Sequence, residues 1–398
     1  MLLSDSAFHL ARWRRAVATC RSVAVVILSM LVAAHAIAAQ PRRRAKARAE
    51  TPHQGEATPS QKMKGIWEPV SYPQDLALES VAFAGPEIGW AAGDAGTLIK
   101  TTDGGLHWTA QLGGDPQSRA RRITDLQVLD ETHAFAVQTA GVGDHTLMRT
   151  TDGEKWEASG TVPQHRASYF FTTPTVGVAA IKQRILRTQD AGRSWTPVAS
   201  CALKAEVAGL ARDLRCDFDA FAFPTPMVGY AIGHPAGAKA LVVARTDDGG
   251  GSWTMWMALP GESGAEGHVF FTDENTGVAC LSGAHLVSTT DGGKSWTGIA
   301  GVSCPGKPAV RFADREVGWA LAHNGWNFTA DGGRHWSSRQ VAFPAAVHAF
   351  SLPRRDRGYV VGDHGMVYRY RIVPVAYSAP NSLDAPVVGA PTRPDGSP

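Results

Sequence analysis

The sequence predicts an all-β chain: a seven-bladed β-propeller of four-stranded antiparallel blades, closed by the N-terminal strand completing the last blade. Three observations lead there. An acidic, glycine-rich octet recurs as TTDGGLHW from Thr101, TTDGEKW from Thr150, TQDAGRSW from Thr188, TDDGGGSW from Thr246, TTDGGKSW from Thr289 and TADGGRHW from Thr329. Its aspartates are spaced on average about 46 residues apart, the period of four-stranded propeller blades. Upstream, a large apolar residue stands six before a small residue that is itself followed by a bulky one. The sets are Phe83 with Gly89-Trp90, Val128 with Ala134-Phe135, Phe171 with Gly177-Val178, Phe223 with Gly229-Tyr230, Phe271 with Gly277-Val278, Phe312 with Gly318-Trp319, and Leu352 with Gly358-Tyr359. That makes seven units. Finally, Ile66–Ser71 (IWEPVS) reads as a lone fourth strand with nothing before it to pair, matching HWTAQL and SWTPVA inside the repeats.

Residues 1–39 precede the repeats. Arg12, Arg14, Arg15 and Arg21 lead into the uncharged apolar run Ser22–Ala39, which ends in small residues. Basic region, apolar run and small-residue exit read as a signal peptide, with an uncleaved N-terminal anchor as the alternative. Either places the remainder outside the cytoplasm, periplasmic or otherwise extracytoplasmic. Residues 40–64 are rich in Arg, Lys, Pro and Ala, with almost no large apolar side chain, and read as a disordered basic linker. The propeller is expected over 65–372, and a Pro-rich disordered tail over 373–398.

Within a unit, short strands alternate with turn residues. In the first, SVAFA, IGWAA, TLIKT and HWTAQL are the four strands, and GPE, GDAG and the octet are the turns between them. Alternation in TLIKT sends Leu98 and Lys100 to one face and Ile99 and Thr101 to the other. Ala202–Leu214 (ALKAEVAGLARDL), between units three and four, is the one stretch that reads as a short helix. The last unit, Val347–Tyr370, has three strands and no octet, so the Ile66–Ser71 strand completes it and removes two free sheet edges.

The octet is a hairpin turn between third and fourth strands. Asp accepts hydrogen bonds from turn backbone N–H groups, Gly supplies positive φ, and Trp starts the next strand with a large apolar surface. On this reading Asp103, Asp152, Asp190, Asp248, Asp291 and Asp331 are structural, not catalytic. Two copies depart: the second is a residue short, and the third has Ala191 in place of Gly. The pattern [ST]-x-D-x-G-x-x-W resembles the Asp-box of BNR repeats, found in sialidases and other propellers, where it is a fold signature away from the active site.

Four cysteines follow the apolar run: Cys201, Cys216, Cys280 and Cys304. An even number in an oxidising compartment suggests bridges, with three possible pairings. Cys201 and Cys216 share one inter-blade connection, and the second strand of blade five points Cys280 toward the connection holding Cys304. The pairings 201–216 and 280–304 are therefore favoured. The first closes a loop of about 15 residues, worth roughly 3 kcal/mol in the chain-entropy model. No C-x-x-C spacing suggests a zinc site.

In a propeller the octet turns lie on one face. The connections between blades, with the turns between second and third strands, lie on the other. That second face carries Arg119, Arg121, Arg122, Arg166, Lys182 and Arg184, a candidate basic patch for carboxylates of a protein partner. Arg212 and Arg215 follow. His145, His234, His285, His323 and His364, with Asp94, Asp144 and Asp363, occupy the same turns but fall on different blades, too far apart to share one ion, so no metal and no cofactor is expected. A net charge of +3 does not call for nucleic acid.

The unit AAGDAGTLIKTTDGGLHW, preceded by GW or GY and repeated to seven blades, resembles the photosystem II stability and assembly factor family over about residues 65–372. The resemblance implies a non-enzymatic, lumenal or periplasmic scaffold in photosynthesis. Its partner would be a membrane-protein assembly intermediate. A monomer is expected, with membrane contact only through an uncleaved N-terminus. The basic linker and Pro-rich tail depart from that family. The alternative is a sialidase-like glycoside hydrolase or carbohydrate-binding propeller. It lacks support from the Arg-Ile-Pro start and from any credible pair of carboxylates on the loop face.

Overall fold

The computed structural model describes residues 62–375 apart from 116–120, 141–144, 163–167, 208–209, 237–238, 260–267, 282–284, 300–301, 303–309 and 323–324. The stretch expected to be a signal peptide or anchor, nearly all of the expected basic linker and most of the expected tail lie outside the described residues. No described helix is long and apolar enough to cross a membrane.

The architecture is a seven-bladed propeller of four-stranded antiparallel sheets. In blades 1 to 6 the strands follow chain order from the innermost outward. Blade 1 is Leu78–Phe83, Gly89–Gly93, Leu98–Thr101 and Thr109–Leu112. Blade 7 is built from both ends of the chain. Its inner strands are Val347–Arg354, Arg357–Gly362 and Val367–Pro374, and its outermost is Met63–Val70. The two terminal strands pair from Met63↔Pro374 to Val70↔Val367. The inner strand of blade 1 also packs on that of blade 7 as well as on that of blade 2. Strand pairing thus begins two residues inside the expected linker and ends two beyond 372.

The Trp67 ring lies 5.3–5.8 Å from those of Trp319, Trp326, Phe343 and Tyr370, joining blades 6 and 7. Beside it Glu68 accepts from Arg371 Nε at 2.8 Å and Arg369 at 3.0 Å. Hydrogen bonds from Arg371 and then Arg369 hold its carboxyl at about 2, against a smaller opposing effect of burial.

The seven-fold spacing has a steric cause. Phe83, Phe171, Phe271 and Phe312 each pair with the glycine six residues on, in the neighbouring strand. The Phe ring lies over that glycine: a Cβ added at Gly89, Gly177, Gly277 or Gly318 would come within 2.5–2.8 Å of it. The bulky residue after the glycine then meets the large residue of the next blade. Tyr359 stacks on Phe83 at 3.7 Å, Phe135 on Phe171 at 3.6 Å, and Tyr230 on Phe271 at 3.8 Å. Trp90, Val178, Val278 and Trp319 pack into shared clusters with Val128, Phe223, Phe312 and Leu352 of the following blades. In five blades the octet Trp meets its own blade's Phe edge-on, at 6.0–6.2 Å.

Because neighbouring blades cover both faces of a sheet, the second and third strands of blade 1 are buried throughout, and alternation selects which neighbour a side chain meets. Leu98 joins Ile123 and Ala136 of blade 2, whereas Ile99 joins Tyr359 and Val361 of blade 7. Lys100, on the Leu98 face, is 8% exposed; its Nζ donates to Gly153 O at 2.9 Å and pairs with Glu154 at 2.6 Å.

The stretch expected to be a short helix is instead a hairpin, Leu203–Val207 with Leu210–Leu214. Its base is closed by the disulfide Cys201–Cys216, with Cα atoms 5.5 Å apart. A single helix across that stretch would separate those ends by about 20 Å. Leu203 and Leu214 pair at the base and are buried. Cys280 is also disulfide-bonded; Cys304, its expected partner, lies outside the described residues.

The Phe-over-Gly contact makes a prediction. Gly277→Ala should cost about 1–3 kcal/mol, the range for overpacking a filled core. Gly298→Ala, where a Cβ meets nothing within 4 Å, should change stability by less than about 0.5 kcal/mol. Urea unfolding of both variants measures the difference.

Candidate functional site

The six repeated aspartates do not converge on a pocket; each accepts hydrogen bonds from its own turn. Asp103 Oδ1 accepts from Thr101 Oγ1 at 2.9 Å and from the backbone N–H groups of Leu106 and His107 at 3.0 Å. Asp248 Oδ1 accepts from Thr246 Oγ1 at 2.7 Å and from Gly251 and Ser252 N–H at 2.9 Å. Asp331 repeats this with Thr329, Arg334 and His335. The Thr oxygen in turn accepts Gly105, Gly250 and Gly333 N–H, each at 2.9 Å. Asp190 and Asp291 also accept from the hydroxyls of Ser194 and Ser295, each at 2.6 Å.

The two departing copies behave differently. The short one shifts its bonds by a residue, with Asp152 accepting Glu154 and Lys155 N–H at 2.8 Å. The third keeps the common geometry at a local cost: Ala191 takes φ 61° where Gly104 takes 70°, a conformation unfavourable for a residue with a Cβ.

These bonds set the acidity. At Asp103, Asp248 and Asp331 burial alone would raise the pKa, but the turn hydrogen bonds outweigh it and hold the carboxyl at about 2. At Asp190 the Ser194 side-chain and backbone bonds do the same, to about 2. Asp152 is lowered chiefly by the Lys155 and Glu154 N–H groups. At Asp291 burial is outweighed by Ser295 and Thr289. At five of the six both carboxylate oxygens are occupied; at Asp152 the bonds all fall on Oδ1.

The opposite face carries the basic candidates. Arg119 and Arg166 lie outside the described residues. Arg121 opens the inner strand of blade 2 and is exposed. Lys182 sits at φ 52° in a tight turn of blade 3, and Arg184 opens the strand after it; both are exposed. None of these three makes an ion pair among the described residues. Arg122 is differently placed. Its guanidinium meets Asp94 at 2.7 Å and also Glu79, so its charge joins blades 1 and 2. Arg215 is exposed, and the side chain of Arg212 is outside the description.

The histidines and carboxylates of this face occur in pairs. His234 meets Asp219 at 2.8 Å, His348 meets Asp363 at 2.7 Å and Glu79 at 3.8 Å, and His364 meets Asp75 at 2.7 Å. The hydrogen bond and charge of Asp75 raise the His364 pKa. His323 and Asp144 lie outside the described residues, as does the side chain of His285. No group of three or more potential metal ligands occurs among the described residues.

Sequence reasoning missed a cavity of about 320 Å³ beside Asp363 and His364, lined also by Pro69, Tyr72, Pro344, Met366 and Tyr368 among others. Its walls come from chain segments some three hundred residues apart; the one available signal was the inferred pairing of the terminal strands.

Comparison with known proteins gives a consistent picture. No family model matches the chain. It is 22% identical over 333 residues to the photosystem II assembly protein Ycf48 of Synechococcus sp. strain JA-2-3B'a(2-13), covering 76% of this chain and 88% of that one. It is 24% identical over 337 residues to Ycf48 of strain JA-3-3Ab, with the same coverage. Among solved structures it is similar to YCF48 bound to a D1 peptide, with TM-score 0.55 and 17% identity over 77% of this chain and 96% of that one. YCF48 from Cyanidioschyzon merolae gives TM-score 0.54 and 17% identity over 77% and 98%. The similarity to the photosystem II assembly factor family therefore spans the propeller.

Six carboxylates held below their unfolded value near 3.9 predict an acid transition. Their contribution is complete above about pH 5 and is lost as pH falls through 4 toward 2, because the unfolded chain then binds protons the native state refuses. The calorimetric melting temperature should be nearly flat from about pH 7 to 5 and fall steeply below about 4.

Proposed function

We propose that this protein is a non-enzymatic, protein-binding assembly factor similar in role to the photosystem II assembly proteins it resembles. Its partner is a segment of a membrane protein caught during assembly. The observation that carries this reading is sequence similarity to Ycf48 along 88% of that protein's length. A structural neighbour holds a D1 peptide, which supports a peptide-like ligand here.

The geometry supports the same reading. The repeated carboxylates are committed to their own turns. Exposed Arg121, Lys182 and Arg184 offer planar and point-charge donors for a partner's carboxylates. The Cys201–Cys216 bridge supports export to an oxidising compartment, periplasmic or otherwise extracytoplasmic. The protein acts as a monomer, with membrane contact only through its N-terminal segment.

Affinity capture from solubilised host membranes tests this. Wild type should retain one defined membrane-protein fragment. Arg121→Glu with Arg184→Glu should reduce capture at least about tenfold, and raised salt should weaken wild-type capture in the same direction. Equal capture by the variant contradicts the assignment of this face. Turnover of a fluorogenic sialoside, abolished by changing one carboxylate, would contradict the non-enzymatic reading.

A further inference from the structure

We infer that the axial channel of the propeller is a carboxylate-binding site and that Arg311 is the residue that receives the ligand. The inference rests on the partner-binding reading and specifies its chemistry: an acidic side chain or chain terminus of a peptide, inserted along the axis.

Arg311 lies on the innermost strand of blade 6, Val310–Phe312, whose only neighbour in the sheet is Gly318–Ala322. Ala313 N–H donates across that pair to Val317 O. Backbone direction alternates along a strand, so the groups of Arg311 point toward the neighbour and those of Val310 point to the axis. The Arg311 guanidinium donates to Val310 O at 2.9 Å, which places it at the channel edge. Blade 3 shows the same edge in use: both the N–H and C=O of Phe171 bond the Gln127 side chain, each at 2.8 Å.

The equivalent positions in other blades are neutral. They include Gln127, Phe170, Phe270 and Ser351, each partly exposed. Phe270 stacks on Phe312, the residue after Arg311, at 5.4 Å. Protein surrounds Arg311, yet its side chain keeps partial exposure, as a channel-lining group does. Burial pushes its pKa below the ordinary value. No carboxylate pairs with it among the described residues.

The charges nearest along the chain are spent elsewhere. Asp314 and Glu316 are taken by Arg355, and Asp273 lies 3.9 Å from Arg315. A cation enclosed without a counter-charge is costly, and a carboxylate would relieve that cost with charge-assisted hydrogen bonds. On the face opposite the octets, exposed Arg121, Lys182 and Arg184 would draw an anionic segment toward the ring.

The test uses the whole propeller and two small probes. The Arg311 side-chain Nε–Hε resonance, assigned by its loss in Arg311→Lys, is followed by NMR during titration. N-acetylglycinate presents a terminal carboxylate, and N-acetylaspartic α-amide a side-chain one. N-acetylglycinamide is the neutral control. At least one carboxylate should shift the resonance saturably while the amide does not, and the responding probe identifies a terminal or a side-chain ligand. Arg311→Gln, followed through the backbone amide shifts of its neighbours because the reporting side chain is gone, should weaken that probe at least tenfold while keeping the melting temperature within about 2 °C or raising it. No saturable shift, an equal response to the amide, or a melting loss above about 5 °C without lost binding overturns the inference. Capture by the Arg121/Arg184 variant, measured in parallel, separates the two readings: its loss with a silent Arg311 ends this one alone.

Discussion

The structure depends on one packing device repeated around the ring. An aromatic side chain lies flat over a glycine in the next strand, and its other face receives the bulky residue that follows the equivalent glycine of the preceding blade. No sheet can bury its faces alone, because each face is completed by a neighbour. The cooperative unit is therefore the whole circle rather than any blade. This makes the terminal strands consequential. Met63–Val70 covers the outer edge of blade 7, and Trp67 and Glu68 tie it to residues near the other end of the chain.

A rigid ring separates structural from functional residues by face. On one side the recurring Thr, Asp and Gly form self-contained turns whose carboxylates bond the backbone and side chains of their own turn. On the other, strand starts and tight turns present basic side chains, some exposed and some used. Arg122 shows that a charge on the right face need not be available: Asp94 and Glu79 hold it across a blade boundary. Arg121, one residue earlier, is exposed. Adjacent arginines on one strand point to opposite faces, and only three-dimensional packing decides which of them meets a partner.

Much of this was legible in the sequence because the fold is repetitive. Phe83 to Gly89 and its six counterparts report a contact between paired strands, so their fixed spacing carries geometric information. The Asp turns and the 201–216 bridge were legible for the same reason, being local in sequence. The hairpin at Leu203–Leu214 was misread because Ala, Leu, Lys and Glu are strong helix formers. Strand pairing closed by a disulfide overrides that propensity. Arg311 was overlooked because a single Arg in a three-residue strand has no distinguishing pattern; its isolation appears only when six other blades surround it. The seam of Glu79, His348 and Asp363 was hidden because its members are distant along the chain.

The most direct measurement of the central claim is a double-mutant cycle across one blade boundary. Tyr230 and Phe271 belong to blades 4 and 5 and stack at 3.8 Å. Urea unfolding of Tyr230→Ala, Phe271→Ala and the double variant gives their coupling. If cross-blade stacking holds the circle together, the coupling will be about 1 kcal/mol or more. Additivity within about 0.3 kcal/mol would mean that each blade is stabilised on its own, and would contradict the account.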